Sequence, residues 1–212
     1  EISNFNEPIY QLRLFGYDKY FQYLDSLNNK ESLPQVNLIS GPKGYGKHTF
    51  IFHYLYYLLS IGKIEKYNII NKEIVEKNTT YKLMIDNIHP NFYFLDLKKG
   101  KKIIEIEQIR EMSKYLQNTS FNRAVKYIVI NNVGKLNLSS SNALLKTLEE
   151  PNANNYFFLI YDTSESLIKT IKSRCFELKI NFTSSKKRDI ISSLCSQHIQ
   201  NFEESYLNKE LD

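Results

Sequence analysis

The chain has 212 residues, with 28 basic against 23 acidic side chains for a formal net charge of +5, and two cysteines. That length supports one sizeable core and part of a second domain, while so small a charge neither requires nor excludes nucleic acid as a partner. Two cysteines, Cys175 and Cys195, build neither a disulfide framework nor a metal site; the polar N-terminus and the lack of any run of about eighteen apolar residues point to a cytoplasmic protein with no membrane partner.

Tyr20, Phe21, Tyr23, Leu24 and Leu27 recur at helical spacing before Pro34 and predict a first helix with these residues on its apolar face. Val36 to Ser40 reads as a strand that feeds the loop Gly41-Pro42-Lys43-Gly44-Tyr45-Gly46-Lys47-His48-Thr49. Against the phosphate-loop pattern G-x-x-x-x-G-K-[ST], Gly41, Gly46 and Lys47 match and His48 replaces the magnesium-binding hydroxyl. Glycines allow backbone N–H groups to converge on phosphate oxygens at a helix N-terminus, so Gly41, Gly44, Gly46 and Lys47 are the candidate nucleotide-binding residues. Thr49 joins them as the nearest hydroxyl, acting from a displaced geometry because it is one position late, which on a helix is about 100° of rotation. A loop kept only to turn a strand into a helix is the alternative. Phe50, Ile51, Tyr54, Leu55, Leu58 and Leu59 then give the following helix one apolar face.

Residues 61 to 88 are polar, lysine-rich and weakly patterned, without a cysteine. His53 and His89 have no partners at ligand spacing, so no zinc is expected. Phe92 to Leu95 reads as a buried strand, and Lys98 to Lys102 around Gly100 as a solvated basic turn. Ile106, Ile109, Met112 and Leu116 mark an amphipathic helix, Arg123 and Lys126 are two bases after it, and Lys126 to Ile130 is another strand ending in Asn131 and Asn132. Ala143, Leu144, Leu145 and Leu148 face one side of a helix that Pro151 stops. Tyr156 to Tyr161 lacks polar alternation, as in a parallel strand covered on both faces. Ser164 is placed to cap a helix carrying Leu167, Ile168 and Ile171, and Ser173-Arg174-Cys175 follows. Phe176 to Ile180 is a last strand; Thr183 or Ser184 then caps a helix over Lys186 to Gln200, with Ile190, Ile191, Leu194 and Ile199 inward.

The order NALLKTLEEP (142–151), FFLI (157–160), LIKTIKSRC (167–175) resembles the clamp-loader branch of the AAA+ ATPases, on its bacterial DNA polymerase III side. The likeness extends more weakly from about Phe15 to Ile180. It implies an α/β fold, a P-loop NTPase (AAA+) parallel sheet flanked by helices over residues 1–180, with the start of a small helical lid over 181–212 and the C-terminal collar domain absent from these residues. Active members carry an aspartate and a glutamate where Asn131 and Asn132 stand, and a sensor threonine at the position assigned to Tyr161. Amides neither act as general bases nor bring charge to magnesium, so the resemblance implies a subunit that requires no cofactor, retains ATP or ADP at most without hydrolysing it, and offers Arg174 in trans to a neighbouring ATPase. Its partners would be the other clamp-loader subunits, delta and gamma or tau, with the sliding clamp and primed DNA reached indirectly; the resemblance also implies that the edge carrying Arg123 and Lys126 lies near the channel, where weak DNA contact would fall. Local pairing of Arg174 with a carboxylate such as Glu177 is the alternative for that residue. An active ATPase subunit of the gamma or tau or replication factor C small-subunit type, and a non-catalytic scaffold, are the alternatives for the chain.

Overall fold

The computed structural model describes residues 8–63, 66–117 and 124–209, with side chains described from residue 9 through 196. Five parallel strands, β1 (Val36–Gly41), β2 (Phe92–Leu95), β3 (Lys126–Ile130), β4 (Asn155–Asp162) and β5 (Phe176–Lys179), form one sheet in the order β2-β3-β4-β1-β5. Around it lie α1 (Asp18–Asn29), α2 (Lys47–Ser60), α3 (Thr79–Ile85), α4 (Ile106–Gln117), α5 (Leu138–Glu149), the short α6 (Lys169–Lys172) and α7 (Ser184–Lys209). No helix among the described residues is long and apolar enough to cross a membrane.

Strand side chains alternate between faces, so the apolar runs split into two core layers. Ile39, Val129, Phe158 and Ile160 pack with α1, α2 and α3; Leu38, Ile128, Ile130, Phe157 and Leu159 pack with α4, α5 and α6. The first layer is aromatic: Tyr17 stacks on Phe50 with ring centroids 4.4 Å apart, and Phe21 on Tyr67 at 5.6 Å. The second is built mainly of aliphatic side chains. Parallel register puts every strand's C-terminal end on one edge of the sheet, where ligand sites of open α/β folds collect.

Several expectations change. Tyr23 is 43% exposed and lies off the buried face of α1, which uses Tyr20, Phe21 and Leu24. Helix α2 has no single apolar face: Phe52, His53 and Tyr56 are as buried as Phe50 and Tyr54, because α3 and the segment before it cover the side away from the sheet. That cover comes from the weakly patterned stretch, where Tyr67 and Ile74 are buried and Asn78 caps α3 by accepting the Thr80 N–H at 2.6 Å. Ser164 caps nothing. Its N–H donates to Asp162 Oδ1 at 3.0 Å, an aspartate turn that competes with helix, and α6 starts only after Ile168. Thr183 does cap α7, its Oγ1 accepting the Lys186 N–H at 3.2 Å, but Ile191 is 59% exposed and not inward; Ile199 lies outside the described side chains.

Lys126 is not available to DNA. It is 5% exposed, its ammonium donating to the Tyr115 carbonyl at 3.0 Å over that residue's ring. Arg123 lies outside the described residues. His53 is a core residue, between the Tyr67 hydroxyl at 3.1 Å and the Gln11 carbonyl at 2.7 Å. Among the described residues no group of three or more His, Cys, Asp or Glu is arranged to hold a metal ion.

Candidate functional site

The loop after β1 delivers its glycines as the spacing requires. Gly44 and Gly46 have φ of +78° and +76°, where a side chain would be strained, and Gly46 is the residue on which α2 begins. Gly41 is needed for a different reason: a Cβ there would sit 2.6 Å from the Ile180 carbonyl oxygen beyond β5. A cleft of about 160 Å³ opens above this loop, lined by Lys43 to His48, Asn131, Asn132, Ile160 and Asp162.

Lys47 is 6% exposed and folds back on its own loop, donating to the carbonyls of Gly41 at 2.8 Å and Pro42 at 2.7 Å. Burial lowers its pKa, against the pull of Asp162 and Glu165. His48 lies flat on Phe94, centroids 4.7 Å apart, and burial pushes its pKa down to about 4 against the charge of Asp96. The neutral ring leaves Nε2 buried without a hydrogen-bond partner and supplies no hydroxyl to the cleft. Thr49 does not replace it, because the helical rotation carries it into a separate hollow of about 110 Å³ beside Arg13, Tyr17 and Ile190.

At the ends of β2 and β3 the two asparagines are committed elsewhere. Asn131 Nδ2 donates to Asp96 Oδ2 at 2.8 Å and Asn132 Nδ2 to Asp96 Oδ1 at 2.7 Å. The Leu97 N–H donates to the same Oδ1 at 2.7 Å. Two amides and a backbone donor thus occupy one carboxylate. Asp96 was not visible as a site residue in the sequence, since nothing local marks a contact across neighbouring strands. The end of β4 also differs from expectation. Tyr161 points into the aliphatic layer, its hydroxyl donating to the Glu165 carbonyl at 2.6 Å, and Asp162 is the residue that lines the cleft. Burial raises the Asp162 pKa, but hydrogen bonds from Ser164 and the charges of Lys47 and Lys43 outweigh it and leave the carboxyl below its usual range.

Arg174 belongs to the other edge of the sheet. It precedes Phe176, which pairs with Asn37 at the start of β1, whereas the loop leaves β1 at Gly41. At about 3.3 Å per residue, roughly 13 Å of sheet lies between the start of β5, which follows Arg174, and the cleft end of β1. Nη1 donates to the Thr170 carbonyl at 3.0 Å and Nη2 to Glu149 Oε1 at 2.7 Å. The local partner is therefore Glu149 and not Glu177, which pairs with Lys172 at 3.4 Å. Cys175 has no chemistry to offer: its thiol donates to the Ile171 carbonyl and burial pushes its pKa up to about 12.

A parallel sheet in this order, with a glycine loop closing β1 onto a helix and a cleft over the strand ends, is the AAA+ form of the P-loop NTPase fold. The RuvB Holliday junction branch migration motor of Thermotoga maritima superposes on 91% of this chain and 55% of its own with a TM-score of 0.52, at 16% identity, a likeness of fold. The family model described as DNA polymerase III, delta subunit, matches residues 16–184, and the chain belongs to that family. Among curated relatives it is similar to DNA polymerase III subunit delta' of Escherichia coli K12, 37% identical over 93 residues, and to the subunit of that name from Buchnera aphidicola of Acyrthosiphon pisum, 31% over 158 residues. These alignments cover 44% and 74% of this chain but only 28% and 46% of the relatives, so the chain spans less than half of their length.

Proposed function

We propose that this chain is the AAA+ part of a clamp-loader subunit of DNA polymerase III, of the delta' type, which does not hydrolyse nucleotide and lends Arg174 to the ATPase subunit beside it. The observation that carries the first half is the pairing of both Asn131 and Asn132 with Asp96. The positions that would polarise water and hold magnesium are amides, and each already donates one N–H to Asp96. The phosphate half of the site still fits a nucleotide, since the loop glycines and the N-terminus of α2 present backbone donors and Lys47 adds a charge once it releases Gly41 and Pro42. ATP or ADP held there would be structural.

The sheet geometry supports the second half. An arginine on the edge opposite its own cleft serves another molecule or none, and Arg174 retains about a third of its side-chain surface. A guanidinium is permanently charged and planar, suited to a transferring phosphoryl group, and such fingers are worth roughly a thousandfold or more in rate. The partners in this reading are the delta and the gamma or tau subunits, with clamp and primed DNA engaged through the assembly. The test reconstitutes the full-length protein with its partner subunits and measures ATP hydrolysis. Arg174→Ala slows the complex without preventing assembly. Hydrolysis by the isolated protein that Lys47→Ala abolishes would overturn the proposal, and an Arg174→Ala complex at full rate would leave a scaffold.

A further inference from the structure

A surface arginine is a poor finger unless something holds it, because its long side chain samples many rotamers and displacement by about 1 Å at a reacting group can cost a hundredfold in rate. Arg174 is held from two separate elements. Nη1 is bound to a carbonyl of α6 and Nη2 to the carboxylate at the last residue of α5. Both anchors rest on the core, for Leu148, next to Glu149, is 3% exposed and Ile171, next to Thr170, is fully buried. Two contacts at different corners fix the plane of a guanidinium, and the N–H groups not used in them stay free to bind.

Glu149 is also misplaced if its purpose is helix stability. The C-terminus of a helix carries the negative end of the dipole, where a carboxylate is unfavourable. The ion pair is exposed on both sides, 36% for Arg174 and 49% for Glu149, a setting in which such pairs contribute little to folding. Holding the guanidinium explains what helix and fold stability do not.

We propose that Glu149 is the positioning residue of Arg174, presetting the guanidinium for a phosphoryl group in the neighbouring subunit. This rests on the reading of Arg174 as a finger acting in trans. Its contribution appears in kcat and not in KM, since a preset finger acts on the transition state. Glutamine keeps the acceptor oxygen and the reach of Glu149; alanine keeps neither.

The experiment measures steady-state ATP hydrolysis by the full-length protein reconstituted with its partner subunits, clamp and primed DNA, with assembly followed by gel filtration. Arg174→Ala tests the underlying reading, and a wild-type rate would remove it together with this proposal. Given a slow Arg174→Ala, Glu149→Ala is expected to lower kcat by about tenfold at unchanged KM, with Glu149→Gln within about twofold of wild type. In the double variant Glu149→Ala adds nothing to Arg174→Ala, because it acts through that side chain. A Glu149→Ala complex at or above the wild-type rate, or one that loses the same factor with and without Arg174, overturns the positioning role while leaving the finger intact.

Discussion

Changing Asn131 to aspartate returns the carboxylate that active AAA+ subunits carry at this position, and here it should damage the protein. Asn131 Nδ2 lies 2.8 Å from Asp96 Oδ2, so the new oxygen converts a donor into a like charge. Loss of a hydrogen bond to a charged group costs about 1.5–3 kcal/mol, and two like charges about 4 Å apart repel by about 4 kcal/mol at an effective dielectric near 20. Proton uptake caps the sum. Holding one carboxyl protonated, from a reference near 3.9, costs about 4 kcal/mol at pH 7 and about 1.5 kcal/mol at pH 5. The variant is therefore expected to lose about 3–4 kcal/mol at pH 7 and about 1.5 kcal/mol or less at pH 5. The sign follows from proton counts: the crowded native pair keeps a proton that the unfolded carboxyls release, so stability falls as pH rises. Urea unfolding followed by far-ultraviolet circular dichroism at pH 5, 6, 7 and 8 measures the gap from wild type. Equal stability at pH 7, or a gap that widens on acidification, would refute the arrangement around Asp96. Under the proposed function the variant is expected to show no ATP hydrolysis, because His48 still stands where the hydroxyl is missing and Asn132 remains an amide.

His53 should show in the acid limb of the same curves. Burial lowers its pKa to about 4 from an ordinary 6.5, so between these values the unfolded chain takes up a proton that the native chain refuses. Stability from this residue is complete above about pH 6.5 and falls by about 3 kcal/mol on descending to pH 4. Replacing His53 with glutamine flattens that part of the profile; an unchanged slope would mean that the ring is not held neutral. Gly41→Ala is expected to destabilise the protein by about 1–3 kcal/mol through overpacking, since the added methyl meets a backbone oxygen that cannot turn aside. A melting temperature equal to wild type would show that β5 gives way.

What the sequence made legible was local. The apolar runs of β3 and β4, the stop at Pro151 and the glycine loop each depend on residues a few positions apart, and each forms where its pattern lies. The contacts that define the site are not local. Asp96 meets Asn131 and Asn132 because β2 and β3 are neighbours, and Arg174 meets Glu149 because α5 and α6 pack together on one face. Tyr161 and Asp162 exchanged roles for a simpler reason: β4 runs one residue further than its apolar pattern, and period-two alternation sends adjacent side chains to opposite sides. Helix α2 hid its second buried side because aromatic and aliphatic residues fill every position from Phe50 to Leu59 except His53, leaving no polar stripe to mark an outside.

The unequal chemistry of the two core layers has a practical result. There is no tryptophan, and in the layer over α4 and α5 the buried rings are Phe157 and Tyr161, whereas the opposite layer holds Tyr17, Tyr20, Tyr54, Tyr56, Tyr67 and Tyr81. Intrinsic emission and near-ultraviolet dichroism are therefore weighted toward one half of the molecule, while amide signals watch both. Should the two halves come apart at different denaturant concentrations, the tyrosine trace and the backbone trace will part company, and the spectrometer will have divided the sheet into its two sides without any label.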